Sequence, residues 1–554
     1  MVPIALEQHF QVLIQGGHVD ELVDLLLDTN HRFPHEPNVH HLLGWARTQQ
    51  RRFDEAIGHF REAVRLNPQA AGALNNIGLL LLEQERHAEA LDAFKAAVSA
   101  QPAYVEALTN LSLTLCRVNL CDNALFFLNE ALRLDPTCAD AHHYLGFAYL
   151  TLGRVSEAER HLVEALKLKP GFGAYLSTLG LLREKQHRGQ EATVVFQQAV
   201  NADPTIAEPW NNLGNIQAAY WGRYDLALKS FNKTLAIRPL YADAKYHRGM
   251  VELSLGDFEQ GWIDYDFRPT IFQKSAARYD RPRWQGEPLA GKTILLHAEQ
   301  GLGDTLQFIR YAERLKNLGA TVFCEVQKTL TPLLARTRGV DLLIPQDAPL
   351  PAHDYQIPLL SLARLLGIPP NQPAYLFAPQ DRLDFWKPRI AQIPGVKIGI
   401  AWQGEANFKY DWLRSVPLSE FAPLAQLPGH SLISLQKYNG LDQIAANRQS
   451  VPVVELNPEI DRGEGAFLDT AAVMMHLDLV VTSDTAIAHL AGGLGVRVWL
   501  ATQFAPDWRW MKDREDSPWY PTMRLFRQTR IEQWGDVFQR MAAVLLATRS
   551  ASSV

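Results

Sequence analysis

The sequence predicts two unlike parts: an all-α solenoid of stacked helix pairs, then an α/β region of two lobes built on parallel sheets. Two observations carry the division. Proline recurs at Pro34, Pro68, Pro102, Pro136, Pro170, Pro204 and Pro239, at five spacings of 34 residues and one of 35. A fixed period of that size marks a helical repeat array. Past Arg281-Pro282-Arg283-Trp284-Gln285-Gly286 the beat stops, and short β-branched runs alternate with helical patterns. That alternation is the mark of strands covered on both faces by helices.

Each repeat reads as helix, turn, helix. Numbering each 34-residue unit so that its proline stands at position 32, position 8 holds Gly44, Gly78, Ser112, Gly146, Gly180 and Gly214. Position 20 holds Ala56, Ala90, Ala124, Ala158, Ala192 and, after one inserted residue, Ala227. Position 24 holds Phe60, Phe94, Leu128, Leu162, Phe196 and Phe231. Small residues let two helices approach, the large apolar one fills the groove, and proline stops the second helix. The unit resembles the tetratricopeptide repeat over about residues 37–270, with a weaker helical pair before it. The final unit, with Gly249, Gly261 and Tyr265, runs into Asp266-Phe267-Arg268-Pro269 and reads as a repeat adapted to dock on the α/β region.

In the second part, apolar runs at 293–296, 321–323, 341–344 and 355–357 predict one parallel sheet. A proline-rich stretch (Pro369, Pro370, Pro373, Pro379) and Pro388 separate them from runs at 396–402, 431–435, 477–482 and 496–500, which predict a second. Such a pair of sheets implies two Rossmann-like lobes with a cleft between them. The domains expected are a repeat solenoid over 1–270, a connector over 271–290, an acceptor-side lobe over 291–385 and a donor-side lobe over 386–548.

Composition bounds the function. At 554 residues and 47% hydrophobic composition the chain has enough apolar surface for several cores. A net charge of −6 gives no basic field to hold nucleic acid. Cys116, Cys121, Cys138 and Cys324 are too few for a disulfide framework and lack zinc-knuckle spacing. Without a basic segment before an apolar stretch at the start, or a run of membrane-spanning length, the expectation is a cytoplasmic protein with no membrane insertion.

Ligands of open parallel sheets bind at the carboxyl ends of strands, so the loops there are candidates. The first is Ala298-Glu299-Gln300-Gly301-Leu302-Gly303-Asp304-Thr305, with Gly301 and Gly303 free to turn tightly. A dinucleotide loop is the competing reading, but Leu306 stands where a third glycine belongs, and Asp304 would repel a pyrophosphate there. Asp304 reads as a base aimed into a cleft, or as a helix N-cap. The second loop is Ser483-Asp484-Thr485-Ala486-Ile487-Ala488-His489. Its start carries N-cap residue types with free N–H groups suited to a diphosphate, and His489 lies one turn beyond Thr485.

Gly-Leu-Gly-Asp in one lobe with Asp-Thr-Ala-x-x-His-Leu-Ala in the other resembles the heptosyltransferase-related glycosyltransferases of GT-B architecture. Repeats followed by such a domain resemble bacterial protein glycosyltransferases, flagellin-modifying ones among them, and the O-GlcNAc transferases. The stretches Asp507-Trp508-Arg509-Trp510, Asp516-Ser517-Pro518-Trp519-Tyr520 and Arg524-Leu525-Phe526-Arg527-Gln528 are similar to the bacterial fusion family. The resemblance implies a metal-independent transfer of sugar from a nucleotide-sugar, with no other cofactor. It places the catalytic base at Asp304 and donor contacts at Asp484, Thr485 and Ala486, with His489 in support. Ser483 belongs to the same helix start. Gln403 and Gly404 end a strand where backbone meets nucleotide, and Lys409 and Arg414 would neutralise the leaving phosphate. Glycine is usual in heptosyltransferases where this chain has Ala486, so donor identity does not carry over.

Asp264-Tyr265-Asp266 matches an Asp-x-Asp metal motif, but it falls inside the last repeat, with its acids spaced to diverge. Position 6 of the first helices carries Asn76, Asn110 and Asn212, with Tyr144 and Thr178 between. Lining a concave face, such amides would grip an extended peptide, as the asparagine ladder of O-GlcNAc transferases does; asparagine kept for solubility is the other reading. The function expected is protein O-glycosylation of Ser or Thr on an acceptor recruited by the repeats, with flagellin a candidate. An inactive scaffold and a transferase for cell-envelope saccharides remain open.

Overall fold

The computed structural model describes residues 2–269, 278–368, 374–406, 410–456, 460–463 and 465–552. The chain divides into two compact units, Met1–Asn212 and Leu213–Val554. The last helix pairs of the repeat array therefore belong with the α/β region, although the sequence expectation ended the solenoid at residue 270.

In the first unit, paired helices run from Ile4–Gly16 and Val19–Arg32 to Gly173–Lys185 and Gly189–Ala202. Ala56, Ala90, Ala124, Ala158 and Ala192 are all fully buried. A Cβ added at Gly44, Gly78, Gly146 or Gly180 would lie 2.7, 2.6, 2.6 or 2.4 Å from the position-24 side chain of the same repeat. The glycines thus set the closeness of each helix pair. Between the two helices of successive repeats, Arg51, Glu85, Asn119, Gly153 and His187 take positive φ, between 59° and 75°. The next residue donates its N–H back across the helix end, as Arg52 does to Arg47 O at 2.9 Å and Arg86 to Leu81 O at 2.8 Å. This is a left-handed helix cap. Only one of the five positions is glycine, so the sequence did not advertise it.

In the second unit the helices Tyr224–Ile237, Ala242–Leu255 and Phe258–Tyr265 continue the repeat pattern. They end against the α/β region: Trp262 and Tyr265 meet the Trp508 ring edge-on, with centroids 5.0 and 5.4 Å away. Arg268 is fully buried and makes a two-pronged pair with Glu299, at 2.9 and 2.5 Å.

The strands are β1 Thr293–His297, β2 Thr321–Val326, β3 Leu342–Pro345 and β4 Tyr355–Pro358, then β5 Val396–Ala401, β6 His430–Ser434, β7 Val453–Val454, β8 Leu479–Ser483, β9 Val498–Thr502 and β10 Met523–Arg527. Among the described residues the first sheet has the order β3-β2-β1-β4 and the second β10-β9-β8-β5-β6-β7, every pair parallel. Both orders reverse direction beside their first strand, as doubly wound sheets do. β7 and β10 were not expected from the sequence. β7 has two residues, and β10 lies in the stretch read only as a tail motif. Pro369, Pro370 and Pro373, which suggested the boundary between lobes, lie outside the described residues.

Candidate functional site

The reversal in the second sheet falls between β5 and β8, where Ala401 is level with Thr482. Ligands of such sheets sit outside the strand ends at this point. The chain leaves β5 through Trp402, Gln403 and Gly404 and leaves β8 through Ser483, Asp484 and Thr485. In the first sheet the reversal falls between β1 and β4, and β1 leads to Gly301 and Asp304. The loops singled out from sequence are therefore the ones at the reversal points.

The helix Leu302–Phe308 packs directly on the helix Ala486–Leu494. A Cβ added at Gly303 would lie 2.8 Å from His489 Cδ2 and 3.4 Å from Ala486 Cα. Gly303 is thus small because another helix is there. Asp304 is the third residue of its helix and not the N-cap, a position held by Gly301. Its Oδ2 reaches back to accept the Gly301 N–H at 2.9 Å, and its Oδ1 accepts from Arg509 Nη2. The side chain is 18% exposed. Burial pushes its carboxyl above the usual range, with the Arg509 charge pulling the other way.

Across from it, Ser483 is fully buried, with its Oγ lacking a hydrogen-bond partner among the described residues. Thr485 takes the N-cap position of the helix Ala486–Leu494, and its Oγ1 lies 3.5 Å from Thr482 Oγ1. Asp484 is half-buried, and its carboxyl is pushed up to about 6 by burial and the Asp507 charge, against the pull of Arg414 and Arg509. His489 packs against aromatic side chains. It is 6% exposed, hydrogen-bonded through Nδ1 to the Tyr520 hydroxyl at 2.9 Å and stacked on Trp510. Burial holds its basicity well below the ordinary value, so the ring is neutral. Its place is between helices, against Tyr520 and Trp510.

The β5 loop is already tied to protein. Gln436 Oε1 accepts from Trp402 N–H at 2.9 Å and Gln403 N–H at 3.1 Å; the Gly404 N–H points to Ser415 Oγ at 3.4 Å, and Asn439 donates to Gly404 O at 3.0 Å. Arg414 Nε donates to Asp411 Oδ1 at 3.0 Å, and its side chain is 20% exposed. Lys409 lies outside the described residues. The Asp-x-Asp acids do diverge: Asp264 accepts from Arg248 at 2.6 Å, whereas Asp266 accepts from Arg283 at 2.6 Å and Ser361 at 2.7 Å.

On the repeats, the side-chain amides of Asn76, Asn110 and Asn212 are each tied to position 5 of the preceding repeat. Asn76 Nδ2 lies 3.4 Å from His41 Nε2, Asn110 donates to Asn75 Oδ1 at 3.0 Å and Asn212 to Ser177 Oγ at 3.1 Å. The ladder therefore links successive repeats.

Sequence reasoning gave no role to Asp507 and Arg509, whose charges act on both Asp304 and Asp484. The available signal was two charges set inside an aromatic run.

The tetratricopeptide repeat family profile matches residues 41–105 and 216–261, and a second tetratricopeptide repeat profile matches 121–182. Protein FlbA of Caulobacter vibrioides is 26% identical over 429 residues, covering 65% of this chain and 70% of that one. Among solved structures, the Cut9–Hcn1 tetramer of the APC/C is 17% identical, covering 48% of this chain and 53% of that one, with a TM-score of 0.38. A tetratricopeptide repeat protein of Parabacteroides merdae is 18% identical over 40% of this chain and 88% of its own, with a TM-score of 0.33.

Proposed function

We propose that the chain is a protein O-glycosyltransferase of GT-B architecture, moving a sugar from a nucleotide-sugar to a Ser or Thr hydroxyl of a protein recruited by the repeats. The observation that carries this reading is the packing of the helix that bears Asp304 on the helix that follows Asp484, after loops about 180 residues apart at the reversal points of two parallel sheets. In the reaction the hydroxyl oxygen bonds to the anomeric carbon as that carbon's bond to the donor phosphate breaks. The electron pair leaves on the phosphate, and the hydroxyl proton passes to Asp304. The helix start at Ser483–Ala486 and the Arg414 guanidinium neutralise the departing phosphate, in place of a metal. Among the described residues no helix is long and apolar enough to cross a membrane.

A second reading, a scaffold without turnover, draws on a specific observation: both Asp304 oxygens and the Gln403 and Gly404 N–H groups already have protein partners. Intact masses of candidate acceptors, flagellin among them, co-expressed with the chain or its Asp304→Asn variant separate the two. A discrete sugar mass with the parent and none with the variant is expected. No added mass on any acceptor, in a host making the activated sugars, moves the weight to the scaffold.

A further inference from the structure

Arg509 enters the site from the connection between β9 and β10. Asp507 begins the short helical turn Trp508–Trp510 by accepting the Arg509 N–H at 3.0 Å. The Arg509 side chain, 8% exposed, then uses three nitrogens on three groups. Nη2 donates to Asp304 Oδ1, Nε to Gln307 Oε1 at 2.8 Å and Nη1 to Asp507 Oδ1 at 2.9 Å. Its guanidinium lies 4.2 Å from the centre of the Trp508 ring. That ring is wedged against Trp262 and Tyr265, and Trp510 is stacked on His489. An arginine held by these four groups has one orientation to offer Asp304.

The carboxylate is correspondingly fixed. One oxygen takes the Gly301 N–H and the other takes Arg509, leaving lone pairs on each for a proton. A base in this place faces a difficulty that Arg509 answers. Burial, with the negative charges of Asp507 and Glu299 around it, raises the Asp304 carboxyl above its usual range, and a carboxyl that holds its proton accepts no other. The guanidinium is the positive charge in direct contact with it.

We propose that Arg509 is the positioning residue of Asp304, fixing the carboxylate's orientation and holding it ionised so that it accepts the proton of the attacking hydroxyl. The proposal rests on the reading of Asp304 as the base, and its test separates the two. With aspartate carboxyls labelled with carbon-13 in the full chain, the signal missing from Asp304→Asn identifies Asp304, and its titration is followed in the parent, Arg509→Gln and Arg509→Lys. Arg509→Gln is expected to raise the midpoint by roughly one to three pH units. Arg509→Lys, which keeps the charge and loses the planar fork, is expected to fall between. It also carries the test if the Gln variant does not fold. An unmoved Asp304 midpoint in the folded variants overturns the proposal.

Once sugar transfer is in hand, the acid limb of its rate profile is expected to make the same shift to higher pH in the Lys variant. A loss of rate with an unshifted limb would mean that Arg509 is merely structural. A moved carboxyl midpoint with no sugar transfer on any acceptor leaves the hold of Arg509 on Asp304 standing and removes the transferase reading.

Discussion

Arg268, the last charged residue before the repeat array gives way, forms a two-pronged ion pair with Glu299 in which the Arg268 side chain is fully buried and that of Glu299 1% exposed. Ser361 Oγ accepts a further Arg268 hydrogen bond at 2.8 Å, and Leu360 N–H donates to Glu299 at 3.2 Å. The pair joins the last repeat helix to the loop that leads into Asp304. Desolvating two such charges is costly, so the pair adds little net stability while it is intact, but removing one partner strands the other. Arg268→Ala is expected to destabilise the second unit by about 3–5 kcal/mol. Urea unfolding followed by tryptophan fluorescence checks this, and a loss below about 1 kcal/mol would mean that Glu299 finds another partner.

Gly301 and Gly303 look alike in sequence but differ in what surrounds them. A Cβ at Gly301 would meet nothing nearer than Asp304 Oδ2 at 3.3 Å, in a backbone conformation (φ −69°) open to any residue. A Cβ at Gly303 meets a buried ring and a neighbouring backbone. Gly303→Ala is therefore expected to cost about 1–3 kcal/mol through forced separation of the two helices. Gly301→Ala should leave the unfolding midpoint nearly where it was. Equal losses in both variants would return the two glycines to a single role.

Distance along the chain decided how much of this was legible. The repeats were plain because their information is local and recurs: proline, glycine and alanine each act within one 34-residue unit. Most strands were plain because an apolar run needs no partner to be recognised. The two-residue β7 carries too little pattern, and β10 reads as arginines and aromatics. At the site, the strand ends pointed to Asp304 and Asp484, whereas helical spacing alone could not tell that His489 turns toward Tyr520 and Trp510. Arg509 stands 205 positions from Asp304, and only the packing of the connection between β9 and β10 brings them together.

The left-handed turns inside the repeats were hidden for a different reason: non-glycine residues occupy four of the five, at a cost in backbone strain. Glu85 sits there with φ 60°. A side chain in this conformation is strained by about 1–2 kcal/mol, partly regained in the less flexible unfolded chain. Glu85→Gly is expected to stabilise the first unit by roughly 0.5–1 kcal/mol. Thermal unfolding checks the sign, and a lowered midpoint would show that contacts of the Glu85 side chain outweigh the strain.

Histidines in the first unit make its stability depend on pH. His143 is 8% exposed, stacked on Tyr175 at 4.6 Å, with Nε2 2.8 Å from Thr178 Oγ1. Burial lowers its pKa to about 4, with Asp140 opposing weakly. His161 also falls to about 4, from burial first and then from His142, whose Nδ1 is 3.1 Å from its own, and Arg160. Both rings are neutral when folded and take up protons more readily when unfolded, at an ordinary value near 6.5. Their stabilisation is therefore complete above about pH 6.5 and is lost as pH falls toward about 4. For the buried His143 the full loss is on the order of 3 kcal/mol. Urea unfolding at about pH 7 and about pH 5 is expected to show a drop in the parent that His143→Gln reduces. Parallel losses in parent and variant would assign the acid sensitivity to other groups.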